Sequence, residues 1–299
     1  MIILNNYSEE LLYLYKPAFI RLKSKHKNVF SSFCLFIYLC VLSTVSAAQP
    51  RIVGGNEAVA NAYPFMVALE KQVDNFQLCG ASLITENKVL TAAHCIADEN
   101  GRINKDKIQV RLGTNVLNNG SGTVISVKTI SKHPLYNPGT TDYDVAILTL
   151  KTPVTFSDNI NVINLPKACR SKDCLTGLVT PGTLVRSIGW GLTSAGGEDS
   201  AILLQVDMPL ISNQVCQTKN TDEITDRMIC ADGTHKNPMA GVCLGGSRGG
   251  PLFAYIEAAR AGLQTGIVSF GEVCATHPGV YTRISDPSIR AFILKYAGI

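Results

Sequence analysis

Three short segments carry side chains that could act together in nucleophilic catalysis. His94 stands in Leu90–Cys95, Asp144 opens an apolar run, and Ser247 lies in a glycine-rich stretch. A serine hydroxyl becomes a good nucleophile when an imidazole accepts its proton and a buried carboxylate orients that imidazole. Taken singly, the segments are more typical of a core histidine, a strand-start acid and a turn. Together, in the order His, Asp, Ser, they predict one catalytic site.

Short strand-like runs separated by Gly, Pro, Asn and Asp must position these residues. The clearest runs are Phe65–Leu69, Ile108–Leu112, Val124–Lys128, Ala146–Leu150, Leu184–Ile188, Leu203–Asp207 and Gly266–Phe270. Many short, evenly spaced strands predict an all-β barrel or sandwich. Only Pro287–Tyr296 has apolar residues at helical spacing. The loop-rich stretch 159–181 is expected to join two halves.

Composition narrows the function classes. The chain has 299 residues, 46% hydrophobic and 17% charged, which is enough for one large or two ordinary domains with a sizeable core. Such an apolar, weakly charged chain excludes a disordered protein. A net charge of +4 indicates no nucleic-acid partner, because such partners require a concentrated basic face.

The first 48 residues have the pattern of a secretory signal peptide with an overlong basic n-region. A basic run at Arg21–Lys27 precedes an apolar run at Phe33–Leu42, and Val45–Ala47 supplies small residues for cleavage. The alternative is an uncleaved anchor that holds residues 30–48 in a membrane. The remaining segments are then a short activation peptide at 49–51 and a domain at 52–299.

Cysteine usage favours secretion. Cys34 and Cys40 lie in the apolar run, and the eight others are Cys79, Cys95, Cys169, Cys174, Cys216, Cys230, Cys243 and Cys274. An even number in a secreted chain predicts four disulfides, and counting alone leaves their pairing open. The sequon at Asn119 is equally an Asn-Gly hairpin turn, and both interpretations place it at the surface.

Six motifs in register show that the chain resembles the trypsin/chymotrypsin-type secreted serine proteases. They are Arg51–Gly55 at the activation site, Thr91–Cys95 around the histidine, Asp144–Leu148 around the aspartate, and then Gly189–Gly191, Ser269–Gly271 and Pro278–Tyr281. The resemblance implies an all-β fold of two packed six-stranded antiparallel barrels with a C-terminal helix. It also implies a secreted zymogen that is cut at Arg51–Ile52 and hydrolyses peptide bonds.

Roles for individual residues follow from the same resemblance. His94 would be the general base and then acid, Asp144 its orienter, and Ser247 the nucleophile, with the oxyanion bound at Gly245 and Ser247. Ser269 would support the aspartate. The specificity pocket would be lined by Gly241, Ser269, Gly271 and Gly279. Without an acid at its base, that pocket favours a large apolar or aromatic side chain.

The resemblance further implies three disulfides, Cys79–Cys95, Cys216–Cys230 and Cys243–Cys274, which leaves Cys169 and Cys174 for a local loop staple. Expected partners are protein or peptide substrates, an activating protease and protein inhibitors, and the chain is expected to be a monomer. The chemistry requires no metal or organic cofactor.

The serine motif departs from the family pattern. The family has Cys-x-Gly-Asp-Ser-Gly-Gly-Pro, whereas Cys243–Pro251 has one extra residue and no acid. Counting forward from Cys243 makes Ser247 the nucleophile and Arg248 an insertion. Counting back from Pro251 puts Arg248 at the nucleophile position and Ser247 at the acid. The forward count is preferred here because only it keeps a nucleophile.

Loss of that acid predicts impaired catalysis in either register. In the family the carboxylate pairs with the ammonium that cleavage frees, here that of Ile52, and the pair shapes the oxyanion loop. Breaking a buried ion pair costs about 3–5 kcal/mol, unless another acid serves the ammonium. The leading hypothesis is a serine endopeptidase. Its rival is a catalytically impaired or inactive homologue that acts by binding proteins.

Overall fold

The computed structural model of the chain describes residues 55–97, 105–168, 180–192, 198–233, 247–256, 261–271 and 277–299. The strands are β1 (Asn56–Glu57), β2 (Met66–Lys71), β3 (Gln77–Thr85), β4 (Lys88–Thr91), β5 (Ile108–Leu112), β6 (Thr123–Lys132), β7 (Ala146–Leu150), β8 (Leu184–Gly189), β9 (Leu204–Ile211), β10 (Met228–Ala231), β11 (Pro251–Ile256), β12 (Ala261–Phe270) and β13 (Gly279–Arg283). The helices are α1 (Asn213–Gln217) and α2 (Pro287–Ala297), with 3-10 turns at Ala93–Cys95 and Lys105–Lys107.

Strands β2 to β7 form a closed antiparallel barrel in the order β2-β3-β4-β7-β6-β5. The pairing of β5 with β2 closes it. Its interior contains the fully buried side chains of Val67, Leu69, Leu83, Val110 and Leu148. Closure leaves none of the six strands with a free edge, which accounts for the stability of a barrel made from short strands.

Strands β8 to β13 form the second barrel, in the order β8-β9-β10-β13-β12-β11 with β11 paired back to β8. Strand β1 adds to the outside of β9. The strand runs read from the sequence lie within these observed strands, except that Phe65 and Leu203 fall one residue before theirs. The expectation of two six-stranded barrels is confirmed.

Aromatic side chains pack between the two barrels. Phe253, from β11, is fully buried and meets Phe65 edge-to-face at a centroid distance of 5.3 Å. Tyr63 meets the same ring at 5.6 Å. A buried hydrogen bond from Ser82 Oγ to Gln264 Oε1, 2.7 Å long, also joins the barrels. The cleft between the barrels is therefore held in place by packed side chains.

Helix α2 follows the last strand and has local signals at both ends. The Asp286 carboxylate accepts hydrogen bonds from the N–H groups of Ser288 and Ile289 at its start, and Gly298 ends it with φ +80°. Ile289 and Ile293 bury its apolar face. The expected C-terminal helix is confirmed. Within the described residues, no helix is long and apolar enough to cross a membrane.

His133 is a buried histidine where α2 meets the first barrel, and it predicts a pH-dependent stability. Its ring stacks on Tyr143 at 4.6 Å and contacts Phe292 of α2 at 5.0 Å. Burial lowers the pKa of His133 from its ordinary 6.5, against the opposing charges of Asp286 and Asp142. As the pH falls below 6.5, the unfolded chain therefore binds more protons than the folded chain. The stability that neutral His133 contributes is complete above pH 6.5 and is lost as the pH falls through the folded pKa.

We expect the melting temperature of the wild type to fall more between pH 7.5 and 5.5 than that of the His133→Asn variant. Asparagine keeps an acceptor for the Leu135 N–H, which bonds to His133 Nδ1 at 3.2 Å, but does not titrate. Parallel melting curves at the two pH values make the comparison. Equal declines in the two proteins would show that His133 does not carry the effect.

Candidate active site

His94 is positioned by the end of β4 and by a disulfide. The chain leaves β4 at Thr91 and turns through the 3-10 segment Ala93–Cys95, whose last residue is bonded to Cys79 on β3. The disulfide and the turn hold the imidazole beside the mouth of the first barrel. Its side chain is 18% exposed, so one edge of the ring reaches the cleft.

Asp144, immediately before β7, orients that imidazole. Its side chain is fully buried and accepts hydrogen bonds from the His94 backbone N–H at 2.9 Å and from Nδ1 at 2.8 Å. Ser269 Oγ donates to the same carboxylate at 2.5 Å. With the proton on Nδ1, Nε2 is left as the basic nitrogen, as general base catalysis requires.

The second barrel helps to hold this aspartate. Thr282 Oγ1, on β13, donates to the Asp144 carbonyl at 2.8 Å. Sequence reasoning missed Thr282, since a buried threonine in a strand carries no signal of its own.

Burial, together with the charge of Asp144, raises the pKa of Tyr136 to about 12, so this phenol stays neutral near the Asp144 carboxylate.

The segment Ser247–Gly250 forms a tight turn facing the first barrel. Gly250 N–H donates to the Ser247 carbonyl at 3.0 Å, and Gly249 has φ +73°, which is the geometry of a type II turn. A Cβ on Gly249 would lie 2.7 Å from Gly80 O and 2.8 Å from Cys95 Sγ. Only glycine fits there, so the turn is locked against β3 and the disulfide.

Arg248 and Ser247 occupy contrasting places in this turn. Arg248 is exposed at its corner, and its carbonyl accepts a hydrogen bond from Gly80 N–H at 2.7 Å. Ser247 is only 5% exposed and packs against Gly189, where an added Cβ would lie 3.0 Å from Ser247 Oγ. No hydrogen bond within the described residues joins Ser247 to His94.

Comparison with known proteins identifies the family. The Trypsin family profile matches residues 52–293. Trypsin 5G1 of Aedes aegypti is 37% identical over 83% of this chain and 86% of its own length. A trypsin of Xenopus laevis is 33% identical over 84% and 94%, and cationic trypsin-3 of Rattus norvegicus is 32% identical over 85% and 93%.

The chain belongs to the trypsin family of serine proteases.

The resemblance inferred from the six motifs is therefore confirmed. Members of the family are hydrolases that act in proteolysis, which supports a hydrolase class for this chain.

The end of the serine motif, Gly249–Pro251, has a fixed position in the fold. Pro251 begins β11 opposite Ile267 of β12, and Gly249 is locked against the first barrel. The residue before Gly-Gly-Pro, where the family has its nucleophile, is therefore Arg248 in this geometry. By this backward count Ser247 stands at the place of the family acid. The forward count, with Ser247 as the nucleophile, stays a prediction, because residues 241–246 lie outside the described residues.

Two of the expected pocket residues come together. A Cβ on Gly271 would lie 3.9 Å from the Gly279 Cα, so these glycines face each other as opposite walls would. Gly279 lies beside the buried hydroxyl of Tyr281, which sequence reasoning missed. Ser269 is 4% exposed and serves Asp144. Asp232, near this region in sequence, pairs with Lys219 at 2.7 Å.

Several expected site residues lie outside the described residues. These are Arg51, Ile52, Cys169, Cys174, Gly241, Cys243, Gly245 and Cys274. Of the disulfides that the resemblance implied, Cys79–Cys95 and Cys216–Cys230 are formed. Asn119 is exposed on the loop between β5 and β6, and its Oδ1 accepts a hydrogen bond from the Ser121 N–H at 2.9 Å.

A cluster of Cys79, His94 and Cys95 has the spacing of metal ligands. The disulfide already uses both sulfur atoms, and a thiolate rather than a disulfide is the ligand that zinc requires. These residues therefore orient the imidazole rather than hold a metal ion.

Proposed function

We propose that this chain is a trypsin-family protein in which peptide hydrolysis is strongly impaired and whose cleft acts by binding a protein or peptide. The observation that carries the proposal is the turn at Ser247–Gly250, with Arg248 at its exposed corner and Ser247 buried behind it. A nucleophilic serine must lie within hydrogen-bond reach of its base. An arginine at that corner is always protonated and cannot be a nucleophile.

The lost acid supports the same proposal. In this register the position that would receive the Ile52 ammonium holds the hydroxyl of Ser247. A hydroxyl brings no opposite charge, so a buried ammonium there would remain without the ion pair that shapes the oxyanion loop in the family. Loss of one oxyanion donor alone lowers turnover by about 10²–10³-fold.

The second candidate is an active secreted serine endopeptidase, made as a zymogen, cut at Arg51–Ile52 and forming an acyl-enzyme on Ser247. The favouring observation is the intact His94–Asp144 pair, with both carboxylate oxygens hydrogen-bonded. A triad without a nucleophile has no evident need for such an oriented imidazole.

Both candidates share a cellular setting. Residues 1–48 would direct secretion or, in the alternative, anchor the chain, and residues 49–51 would be removed on activation. Disulfides such as Cys216–Cys230 fit an oxidising compartment. Substrates or bound partners would be proteins or peptides, and an activating protease would act after Arg51.

Fluorophosphonate labelling tests the proposed function. The recombinant chain is labelled before and after tryptic cleavage at Arg51, and the modified peptide is mapped by mass spectrometry. We expect no label on Ser247, because its hydroxyl is buried and forms no hydrogen bond with His94 within the described residues. The Ser247→Ala variant sets the background, and an active trypsin shows that the reagent works. Stoichiometric labelling of Ser247 after cleavage would establish the second candidate instead.

A further inference from the structure

Arg248 is an exposed cation that has no ion-pair partner among the described residues. Its side chain is exposed at the corner of the turn. Among the described residues, no carboxylate forms an ion pair with its guanidinium, and its own N–H donates to none of their acceptors. Three other arginines, Arg111, Arg186 and Arg227, pair with carboxylates, as Arg186 does with Asp207 at 2.6 Å. Arg248 has no such partner among the described residues, and its side chain is exposed.

The turn that carries Arg248 lies against the Cys79–Cys95 disulfide, which adjoins His94. The Cβ direction of Gly249, one residue after Arg248, points to Cys95 Sγ at 2.8 Å, and His94 Nε2 lies 3.5 Å from the same sulfur. The carboxylate of Asp144 is fully buried and already receives hydrogen bonds from His94 and Ser269. Asp144 therefore cannot neutralise a cation on the exposed side of the imidazole.

We propose that the cleft recognises a carboxylate, which binds the Arg248 guanidinium beside His94. The inference rests on the proposed function, since it takes Arg248 as the residue at the nucleophile position. A guanidinium holds a carboxylate through two parallel N–H bonds in a fixed plane, and the free N–H of Arg248 adds a third donor. The ligand is a peptide whose carboxylate is either its own C-terminus or an acidic side chain.

Binding a carboxylate differs from what the substrate cleft of an active protease does. An active site of this family accepts a neutral peptide bond at the nucleophile position and stabilises negative charge only as it develops. A permanent cation there favours a group that is already anionic before binding. The substitution thus converts a site for a developing oxyanion into one for a stable anion.

Fluorescence anisotropy with four labelled peptides tests the proposal. The probes carry an uncharged BODIPY label at the N-terminus and are Gly-Ala-Pro-Phe with a free carboxylate, the same peptide as its amide, Gly-Ala-Pro-Asp-Gly amide, and its Asn counterpart. Titrations use the full chain after cleavage at Arg51. We expect each carboxylate peptide to bind at least about tenfold more tightly than its neutral partner, a typical effect of one charge-assisted contact.

Two variants assign that preference to Arg248. Arg248→Gln is expected to abolish it, whereas Lys151→Gln, which removes an exposed cation after β7, is expected to keep it. Preference for the free C-terminus alone, or for the Asp side chain alone, identifies which carboxylate the cleft takes. Equal binding of acid and neutral peptides, no binding of any probe at 1 mM (about −4 kcal/mol or weaker), or a preference retained in Arg248→Gln would overturn the proposal.

Fluorophosphonate labelling of the same preparation separates this outcome from failure of the proposed function. Labelled Ser247 would overturn the proposed function and this inference with it. Unlabelled Ser247 with no carboxylate preference would overturn the inference alone.

Discussion

Replacing Ser247 by Asp and Arg248 by Ser together is expected to raise peptidase activity by about 10³-fold or more, because it restores both a nucleophile and the acid. The turn and the His94–Asp144 pair are already formed. A serine at the exposed corner would face the imidazole that Asp144 orients. An aspartate in the buried position beside Gly191 would offer the Ile52 ammonium its ion pair after cleavage. The measurement is kcat/KM on chromogenic peptides with aromatic or basic ends.

A second variant restores the whole family motif whichever count is right. Replacing Gly246 by Asp and deleting Arg248 gives Cys-Leu-Gly-Asp-Ser-Gly-Gly-Pro, without the extra residue. We expect it to gain at least as much activity as the paired variant, so it sets the scale for that gain. Gain in the deletion variant with none in the paired variant would show that the extra residue cannot be accommodated before the nucleophile.

Three controls isolate the chemistry of the paired variant. Ser247→Asp alone has no nucleophile, and Arg248→Ser alone lacks the acid, so each is expected to fall well below the pair. Adding His94→Ala to the pair is expected to abolish the gain. Circular dichroism and melting curves show whether each variant folds. A folded pair that cleaves no peptide and takes no fluorophosphonate would contradict the assignment of Arg248 to the nucleophile position.

Glu70→Ala is expected to lower the free energy of unfolding by about 3–5 kcal/mol, which is the cost of leaving one member of a buried ion pair alone. Glu70 is 1% exposed, and its Oε1 accepts from Arg111 Nε at 2.7 Å. Arg111 also donates to the Ser121 carbonyl at 2.8 Å. Without the carboxylate, the buried guanidinium would keep its charge and lose its counter-ion. Urea unfolding with the disulfides intact measures the change.

Two controls separate the ion pair from simple loss of a side chain. Glu57→Ala removes an exposed acid on β1 and is expected to change stability by less than about 0.5 kcal/mol. Replacing Glu70 and Arg111 together by Met is expected to recover most of the loss, because an apolar pair carries no unpaired charge. A cost below about 1 kcal/mol for Glu70→Ala would show that water or another group compensates Arg111.

Local signals in the sequence were enough to predict most of the fold. Alternating apolar residues and turn residues predicted strands such as Ile108–Leu112 and Ala146–Leu150 with the bounds that the structure has. Helix α2 was predicted from its apolar spacing, and Asp286 and Gly298 supply its caps. These features depend on residues close together in the chain, which is why a single sequence contains them.

The motifs also predicted the oriented half of the site. His94, Asp144 and Ser269 stand 50 and 125 residues apart in the chain, yet their carboxylate and donors meet within hydrogen-bond distance. Family order predicted this meeting, whereas local pattern alone could not. Thr282 was missed because its role depends solely on where β13 passes the Asp144 carbonyl.

The sequence by itself therefore determined the family, the two barrels and the histidine–aspartate pair, and it showed that the serine motif has one residue too many. It could not determine where that residue is accommodated, because both counts along Cys243–Pro251 are consistent with the letters. In the folded chain Arg248 lies at the exposed corner of the turn, and the proposed function rests on this observation. Gly249 has room only against Gly80 and Cys95, and Pro251 is held in register by β12, so the end of the motif cannot shift.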